Sequence, residues 1–260
     1  MPGRVHLETV EPGIARITLD QPERLNAISQ AMWDRLGEIL RALDADEDLR
    51  CVILTGAGPR AFSVGADITE FEAIRSTVEK ARAYAKRTHA ALGALRAIRH
   101  PVVAAIEGLC VGGGLELACN ADLRVCGASS RFGIPIKRLG LVVAYGELAP
   151  LIQLVGKSNA LRILLEGDLL GAEEALRIGL VNRVVADGAV MEEALATARR
   201  IAEGAPLVAR WHKKFVNRLM DPRPLSPEEE AESYLCFGTE DFREGTRAFL
   251  EKRKPVFVGR

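Results

Sequence analysis

The chain has 260 residues, 48% of them hydrophobic and 27% charged, and 35 Lys and Arg residues balance 35 Asp and Glu residues. This composition is ordinary for a globular protein with a large core. The absence of a basic excess argues against a nucleic-acid partner. The longest apolar run, residues 139–155, is interrupted by polar residues and Pro150, and the N-terminus lacks an apolar leader stretch. We therefore expect a cytoplasmic protein with no membrane partner.

The cysteines and histidines do not form a recognisable disulfide or metal pattern. The odd set of cysteines contains no C-x-x-C pair and lies mostly in apolar or strand-like stretches: Cys51, Cys110, Cys119, Cys126 and Cys236. The four histidines are scattered without ligand spacing. This pattern predicts free, mostly buried thiols in a reducing compartment and no zinc site.

The first half of the chain alternates short apolar strands with helices. Strands are predicted over residues 14–19, 51–55, 102–106 and 123–126, and helices over 29–43, 77–98 and 115–120, with Ser29 capping the first helix. Such alternation predicts an α/β core with buried parallel strands.

Helices dominate the predicted elements after Glu147. A helix is predicted from Gly146 to Val155, one more strand over 180–185, and nearly continuous helix over 197–220 and 227–252. We expect an α/β core over residues 1–195 and a helical C-terminal region over 196–260.

The first glycine cluster, Gly56-x-Gly58-x-x-Ala61, has the spacing of a dinucleotide-binding fingerprint. That motif requires a helix to open directly after the glycines, whereas Pro59 and the following Ala-Phe-Ser favour a tight turn at the strand exit. An NAD-dependent enzyme is therefore disfavoured.

A second cluster, Gly112-Gly113-Gly114, lies between a predicted strand and a predicted helix. Its backbone N–H groups would suit a developing oxyanion, although close helix–strand packing explains the glycines equally well. The segment Ser63 to Ile68 offers a further exposed N–H at Ala66, while Asp67 is also a plausible helix cap.

These segments together resemble the crotonase, or enoyl-CoA hydratase/isomerase, superfamily. The matching pieces in chain order are Asp20-Gln21-Pro22 with Leu25-Asn26-Ala27, Ala61 to Ile68, Pro101 to Cys119, Phe132-Gly133-x-Pro135 with Leu139-Gly140-Leu141, Gly156-Lys157, Gly179-Leu180-Val181, and Glu244 to Arg253. Each piece is short, and the specificity of the match comes from their order and spacing along most of the chain.

The resemblance implies a spiral of ββα turns with a helical C-terminal region that builds a homotrimer or a dimer of trimers. It implies an acyl-CoA substrate, no cofactor beyond the coenzyme A moiety of that substrate, and an oxyanion hole formed by the N–H groups of Ala66 and Gly113. It also assigns residues to binding of the acyl group and coenzyme A: Arg24, Leu25, Val64, Gly65, Ala66, Asp67, Ile68, Gly112, Gly113, Ile136, Leu141, Phe249 and Lys252.

The sequence departs from the family pattern at one of two expected glutamates. Glu116 occupies the first position, in the helix after the glycines, and Ile136 stands at the second. A carboxylate pair can hold a water and move two protons, which Glu116 and an isoleucine cannot do in the same way. Glu147 and Tyr145, at the start of the next helix, are candidate replacements; the alternative roles are a first-turn dipole partner for Glu147 and a pocket wall for Tyr145.

The sequence therefore predicts an enzyme that stabilises a thioester enolate during hydration, dehydration or double-bond migration. The same oxyanion hole would serve decarboxylation, C–C cleavage or thioester hydrolysis. A non-catalytic acyl-CoA-binding subunit is the alternative from another class: Ile136 favours it, and retention of Glu116 opposes it.

Overall fold

The computed structural model describes residues 3–260, so the first two residues of the predicted core lie outside the described range. The strands in chain order are β1 (Arg4–Glu11), β2 (Ile14–Asp20), β3 (Cys51–Gly56), β4 (Ala61–Ser63), β5 (Val102–Ile106), β6 (Leu109–Val111), β7 (Leu123–Gly127), β8 (Arg131–Gly133), β9 (Leu170–Gly171) and β10 (Arg183–Val185). The α-helices are α1 (Gln30–Asp44), α2 (Phe71–Arg75), α3 (Val78–Ala97), α4 (Gly113–Cys119), α5 (Tyr145–Glu166), α6 (Ala172–Arg177), α7 (Val190–Ala202), α8 (Pro206–Leu219), α9 (Pro227–Glu232) and α10 (Glu240–Leu250).

The strands form two sheets that repeat the same chain path. The larger sheet has the order β1-β2-β3-β5-β7-β10, and all its pairs are parallel except β1 with β2. The smaller sheet has the order β4-β6-β8-β9, with only β8 and β9 antiparallel. Successive turns of the chain thus add one strand to each sheet, which confirms the predicted α/β fold.

The central strands are apolar along their whole length because both of their faces are covered. Leu54 and Ala104 face a main core that includes side chains of α1 and α3. Ile53 and Val103 face the opposite side, where they meet apolar residues of α7. Adjacent residues of a strand point to opposite faces, so one apolar run supplies both cores.

Most predicted helices are confirmed, with small shifts at their ends. Ser29 caps α1 by accepting a hydrogen bond from the N–H of Met32 at 3.3 Å. The helix predicted to end at Val155 continues to Glu166, with a break at Gly156, whose φ of 73° is non-helical. Among residues 3–260, no helix is both long and apolar enough to cross a membrane.

The proposed division of the chain at residues 195 and 196 falls inside α7. Val190, Ala194 and Ala198 of this helix are all buried against the larger sheet. The first turns of the predicted C-terminal region are therefore packed as part of the α/β core, and the two-part organisation of the chain stays a prediction.

The cysteines are free thiols, as predicted. Cys51, Cys110, Cys119 and Cys126 are buried, and Cys236 is half-buried. Burial raises the pKa of Cys51, Cys119 and Cys126 to about 12, so these thiols stay protonated and act as small apolar groups.

Candidate active site

A cavity of about 180 Å³ opens between the start of α4, helices α2 and α3, and the segment that leads into α5. Its lining consists of Trp33, Val64, Ala66, Ile68, Phe71, Arg75, Tyr84, Ala85, Thr88, Leu92, Gly112, Gly113, Glu116, Ile136, Leu139, Leu141, Val142, Ala144 and Glu147. Most of these side chains are apolar, and the few polar groups are therefore the ones that can orient a ligand.

One wall is built by residues 63–67, which we call the anchored segment. It runs beside residues 25–28, and hydrogen bonds join the two stretches at successive positions. Val64 N–H donates to Leu25 O at 3.2 Å, Ile28 N–H donates to Gly65 O at 2.7 Å, and Asp67 N–H donates to Ile28 O at 3.0 Å. This ladder fixes the backbone of the anchored segment before any ligand binds.

Asn26 holds the same region together from within. It is fully buried, and its side-chain amide donates to Ala57 O at 3.0 Å and to Ala61 O at 2.7 Å, while its carbonyl oxygen accepts from Gln21 N–H at 3.0 Å. Leu25 and Asn26 both have a positive φ, at 54° and 55°. Strained backbone of this kind persists only where the surroundings fix it, and here it turns the chain toward the anchored segment.

The N–H of Ala66 is left free by the pairing with Ile28. Ile28 bonds to Gly65 and Asp67, the residues on either side of Ala66. In a parallel bridge of this kind, the residue between the two bonded neighbours directs its own N–H away from the partner, so that of Ala66 points away from Ile28. Ala66 lines the cavity, so this donor is available to a ligand there.

Gly113 brings a second free N–H beside the first. It is the first residue of α4, where backbone N–H groups have no partner within the helix. A Cβ added to Gly113 would lie 3.5 Å from Ala66 N, and one added to Gly65 would lie 2.5 Å from Gly113 N. Gly114 is as confined as Gly65, because its Cβ would lie 2.3 Å from Ser63 O. Positions 65 and 114 therefore require glycine, since two backbones meet there, whereas a Cβ at Gly113 would make only ordinary contacts.

Glu116 lies one helical turn beyond these glycines and lines the cavity. Burial and the nearby negative charge of Glu147 raise the pKa of its carboxyl to about 8, and the positive charge of Arg75 opposes this shift. Glu116 is therefore mostly protonated at neutral pH, which suits a group that gives a proton to a substrate.

Glu147 reaches the same cavity from the start of α5. One carboxylate oxygen accepts from Ala144 N–H at 2.9 Å, and the other lies 3.2 Å from His89 Nε2. Glu147 therefore makes a backbone contact in the first turn of α5, and its roles as a dipole partner and as a catalytic acid or base stay predictions. Its position beside Glu116 gives the cavity two carboxyl groups, although Ile136 occupies the expected second position.

Arg75, Tyr84 and His89 are polar groups of this region that the sequence did not single out. The Arg75 guanidinium lies 4.7 Å from the ring centre of Phe71 and 5.0 Å from that of Tyr84. They lie within or beside the long helix after the anchored segment, where polar residues follow no motif. Only the three-dimensional path of α2 and α3 brings them to the cavity.

Some of the predicted site residues line the cavity and others lie outside its lining. Val64, Ala66, Ile68, Gly112, Gly113, Glu116, Ile136, Leu141 and Glu147 line the cavity. Arg24 lies behind the anchored segment, where its Nη1 donates to Asp67 Oδ2 at 2.8 Å. Burial raises the pKa of Asp67, but hydrogen bonds from Thr69 and the Arg24 charge outweigh it and hold that pKa below its usual range.

Arg24, Leu25, Gly65 and Asp67 are not among the lining residues, and three further predicted residues are exposed and lie away from the cavity. The side chain of Tyr145 is 95% exposed and that of Phe249 is 83% exposed. Lys252 is exposed just beyond α10. None of the three belongs to the cavity wall within this chain. A role for Tyr145 as a wall of this cavity therefore has no support from its position.

The family model described as enoyl-CoA hydratase/isomerase matches residues 9–260. The chain belongs to this family. A short-chain-enoyl-CoA hydratase of Clostridium acetobutylicum is 35% identical over 247 residues, covering 94% of each chain. A mevalonyl-coenzyme A hydratase of Beauveria bassiana is 34% identical over 265 residues, covering 95% of this chain and 92% of its own.

Solved structures of the family share the fold. The crystal structure of an enoyl-CoA hydratase/carnithine racemase from Magnetospirillum magneticum aligns with a TM-score of 0.96 and 48% identity, covering 98% of this chain and 96% of the other. These similarities confirm the predicted crotonase fold and an enzyme of the enoyl-CoA hydratase/isomerase type. They leave the reaction and the acyl group to be argued from the cavity.

Proposed function

We propose that this chain catalyses the reversible addition of water to the double bond of a short 2-enoyl-CoA. One observation carries the proposal: the carboxyl groups of Glu116 and Glu147 face one cavity beside the free N–H groups of Ala66 and Gly113. The cavity volume of about 180 Å³ is close to that of a cavity that holds benzene, which favours a short acyl chain.

The two N–H groups would bind the thioester oxygen of the substrate. As water attacks the β-carbon, the electrons of the double bond move toward the thioester and its oxygen becomes negative. Donors fixed in advance stabilise this charge without reorganisation, and a single donor of this kind typically contributes about 3 kcal/mol. The anchored segment and the start of α4 supply that rigidity.

The carboxyl groups would divide the proton transfers. Glu147 accepts a hydrogen bond from Ala144 N–H at 2.9 Å, and its other oxygen lies 3.2 Å from His89 Nε2. It would take a proton from the attacking water. Glu116, protonated at neutral pH, would give its proton to the α-carbon and complete the 3-hydroxyacyl product.

The test follows the loss of enoyl absorbance of crotonyl-CoA with the wild type, Glu116→Gln and Glu147→Gln. Glutamine at position 147 keeps an oxygen that can accept from Ala144 N–H, so the start of α5 is preserved. We expect each substitution to lower kcat by about 10²–10⁴, and the double variant to be no slower than the slower single variant. Hydration should decline as the pH rises above about 8, where Glu116 loses the proton it donates.

Full hydratase activity in Glu116→Gln would contradict the proposal. Tight binding of crotonyl-CoA by the wild type, with no turnover of either crotonyl-CoA or a 3-enoyl-CoA, would instead favour a non-catalytic acyl-CoA-binding subunit.

Double-bond migration is the second candidate reaction, and the contacts of Glu147 favour it. Both oxygens of that carboxylate are already engaged, by Ala144 N–H and His89. Glu116 alone would then carry a proton between the α- and γ-carbons of an enoyl-CoA. Under this mechanism, Glu147→Gln retains activity on a 3-enoyl-CoA, and the wild type leaves crotonyl-CoA unhydrated.

We extend the proposal to the coenzyme A path and the assembly. Arg24 and Leu25 would line the path beside the anchored segment. Exposed Phe249 and Lys252 would reach the nucleotide bound to a neighbouring subunit of a homotrimer or a dimer of trimers.

No cofactor is needed beyond the coenzyme A of the substrate, and the buried free thiols fit a cytoplasmic location. Sedimentation of the purified chain distinguishes monomer, trimer and hexamer.

A further inference from the structure

Arg75 is a cation in an otherwise largely apolar part of the cavity. It ends α2, and the rings of Phe71 and Tyr84 lie against its guanidinium at 4.7 and 5.0 Å. Aromatic faces attract a guanidinium, so these two rings hold the group in place while leaving N–H donors unused.

No acidic side chain of residues 3–260 forms an ion pair with Arg75, and its Nε is buried without a hydrogen-bond partner. Nearby carboxylates have other partners: Glu70 accepts from Gln30 N–H at 2.9 Å, and Glu147 pairs with His89. Buried polar groups normally find a partner, so an unpaired guanidinium beside a cavity points to a partner supplied by the ligand.

Tyr84 adds a second donor next to Arg75. Its side chain is buried and lines the cavity, and burial raises its pKa to about 12 although Trp33 and Arg75 oppose the shift. The hydroxyl therefore keeps its proton and can donate. The Arg75 guanidinium lies 5.0 Å from the centre of the Tyr84 ring, and both a guanidinium and a hydroxyl can donate to the oxygens of a carboxylate.

Glu116 does not supply this carboxylate. It forms no ion pair with Arg75 among the described residues, and it is mostly protonated at neutral pH. Arg75 is nevertheless near enough for its charge to act on Glu116. Arg75 and Glu116 line the same cavity of about 180 Å³, so a carboxylate bound by Arg75 would belong to a short acyl chain.

We propose that the acyl group of the substrate is short and ends in a carboxylate, which Arg75 and Tyr84 bind. This inference rests on the proposed acyl-CoA function and narrows it to one substrate class. The cavity of about 180 Å³ suits an acyl chain of roughly five carbons.

The first experiment measures binding without turnover. Glutaryl-CoA and pentanoyl-CoA are saturated five-carbon thioesters that differ at the chain end, where one has a carboxylate and the other a methyl group. By titration calorimetry we expect the wild type to bind glutaryl-CoA at least about tenfold more tightly, as a charged hydrogen-bonded pair in a cavity typically provides.

Variants then assign the preference to Arg75. Arg75→Gln should lose at least about tenfold in affinity for glutaryl-CoA and stay within about twofold for pentanoyl-CoA, and Arg75→Lys should recover part of the loss. Tyr84→Phe should lose less than Arg75→Gln. Arg82→Gln is the matched control, since Arg82 is an exposed cation of α3 outside the cavity lining, and it should bind both thioesters as the wild type does.

Several outcomes overturn the inference. Equal wild-type affinity for the two thioesters, or tighter binding of pentanoyl-CoA, rejects the carboxylate while leaving the acyl-CoA function intact. An Arg75→Gln variant that weakens both ligands equally, and moves the alkaline limit of crotonyl-CoA hydration to higher pH, would make Arg75 a group that tunes Glu116. If neither thioester binds, the acyl-CoA function fails together with the inference.

Discussion

The two sides of the cavity are built in different ways. The anchored segment and the start of α4 are held by backbone hydrogen bonds and by glycines in contact. The opposite side, which we call the acyl wall, comprises the cavity-lining residues of 71–92 and 136–147. Its side chains belong to helices and turns, and several of them are exposed, such as Val142 at 89%.

This difference separates the reaction from the choice of substrate. An oxyanion is stabilised by hydrogen-bond donors at fixed positions. Backbone N–H groups supply such donors, and substituting a side chain at the surface does not remove them. The acyl wall meets the variable part of the substrate through side chains such as Ile136 and Arg75, which substitution changes readily. We expect damage to the first side to slow every substrate, and changes on the second side to redistribute activity among substrates.

Within the anchored segment, the largest effect should come from Gly65→Ala. Its φ of 89° disfavours alanine, and the added Cβ would lie 2.5 Å from Gly113 N. The methyl group would therefore push the two oxyanion donors apart. We expect kcat to fall by about 10²–10³ for every enoyl-CoA tested, as for the loss of an oxyanion-hole donor.

Gly58→Ala is the matched control for this substitution. Gly58 also has a positive φ, 73°, but its Cβ would meet nothing within 4 Å. The control introduces the backbone strain without the contact, so its thermal midpoint should fall while its kcat stays near that of the wild type. A Gly65→Ala variant as active as Gly58→Ala would show that the anchored segment is less rigid than its hydrogen bonds indicate.

The same contrast explains what the sequence could predict. The apolar strands, the glycines and Ala66 follow from local rules and an ordered set of motifs, and the structure brings Ala66, Gly113 and Glu116 to one cavity. The three-residue strands β4, β6 and β8 were missed because segments so short carry no alternation. Arg75 was missed because its position beside Glu116 depends on how α2 and α3 pack, and local periodicity does not encode that packing.

The next effect concerns stability and comes from Glu116→Gln. The pKa of Glu116 is raised from 4.5 to about 8, so between these pH values the folded protein holds a proton that the unfolded chain has released. The free energy of unfolding therefore decreases as the pH rises through this window. Glutamine does not ionise, so Glu116→Gln removes this loss of stability. A change of one pKa unit corresponds to roughly 1.4 kcal/mol, and solvent in the cavity reduces the total effect on stability. At pH 8.5 we therefore expect Glu116→Gln to be more stable than the wild type by about 2 kcal/mol.

Urea unfolding at pH 5 and pH 8.5 checks this expectation, because the gain should nearly vanish at the lower pH. Glu72→Gln is the control, since it removes an exposed carboxylate of α2 and should change stability by less than about 0.5 kcal/mol at both pH values. An equal gain at both pH values for Glu116→Gln would attribute the effect to packing rather than to proton binding.

The smallest effect is expected for Tyr145→Phe, which tests where the acyl wall ends. Tyr145 lies between Ala144 and Glu147 in the chain, yet its side chain is 95% exposed and does not line the cavity. We expect kcat/KM for crotonyl-CoA to stay within about twofold of the wild type, as for most surface substitutions. Tyr234→Phe, at a 69% exposed tyrosine, is the control. A loss of tenfold or more confined to Tyr145→Phe would mean that substrate binding or a neighbouring subunit brings this hydroxyl over the cavity, and the acyl wall would then extend beyond the single chain.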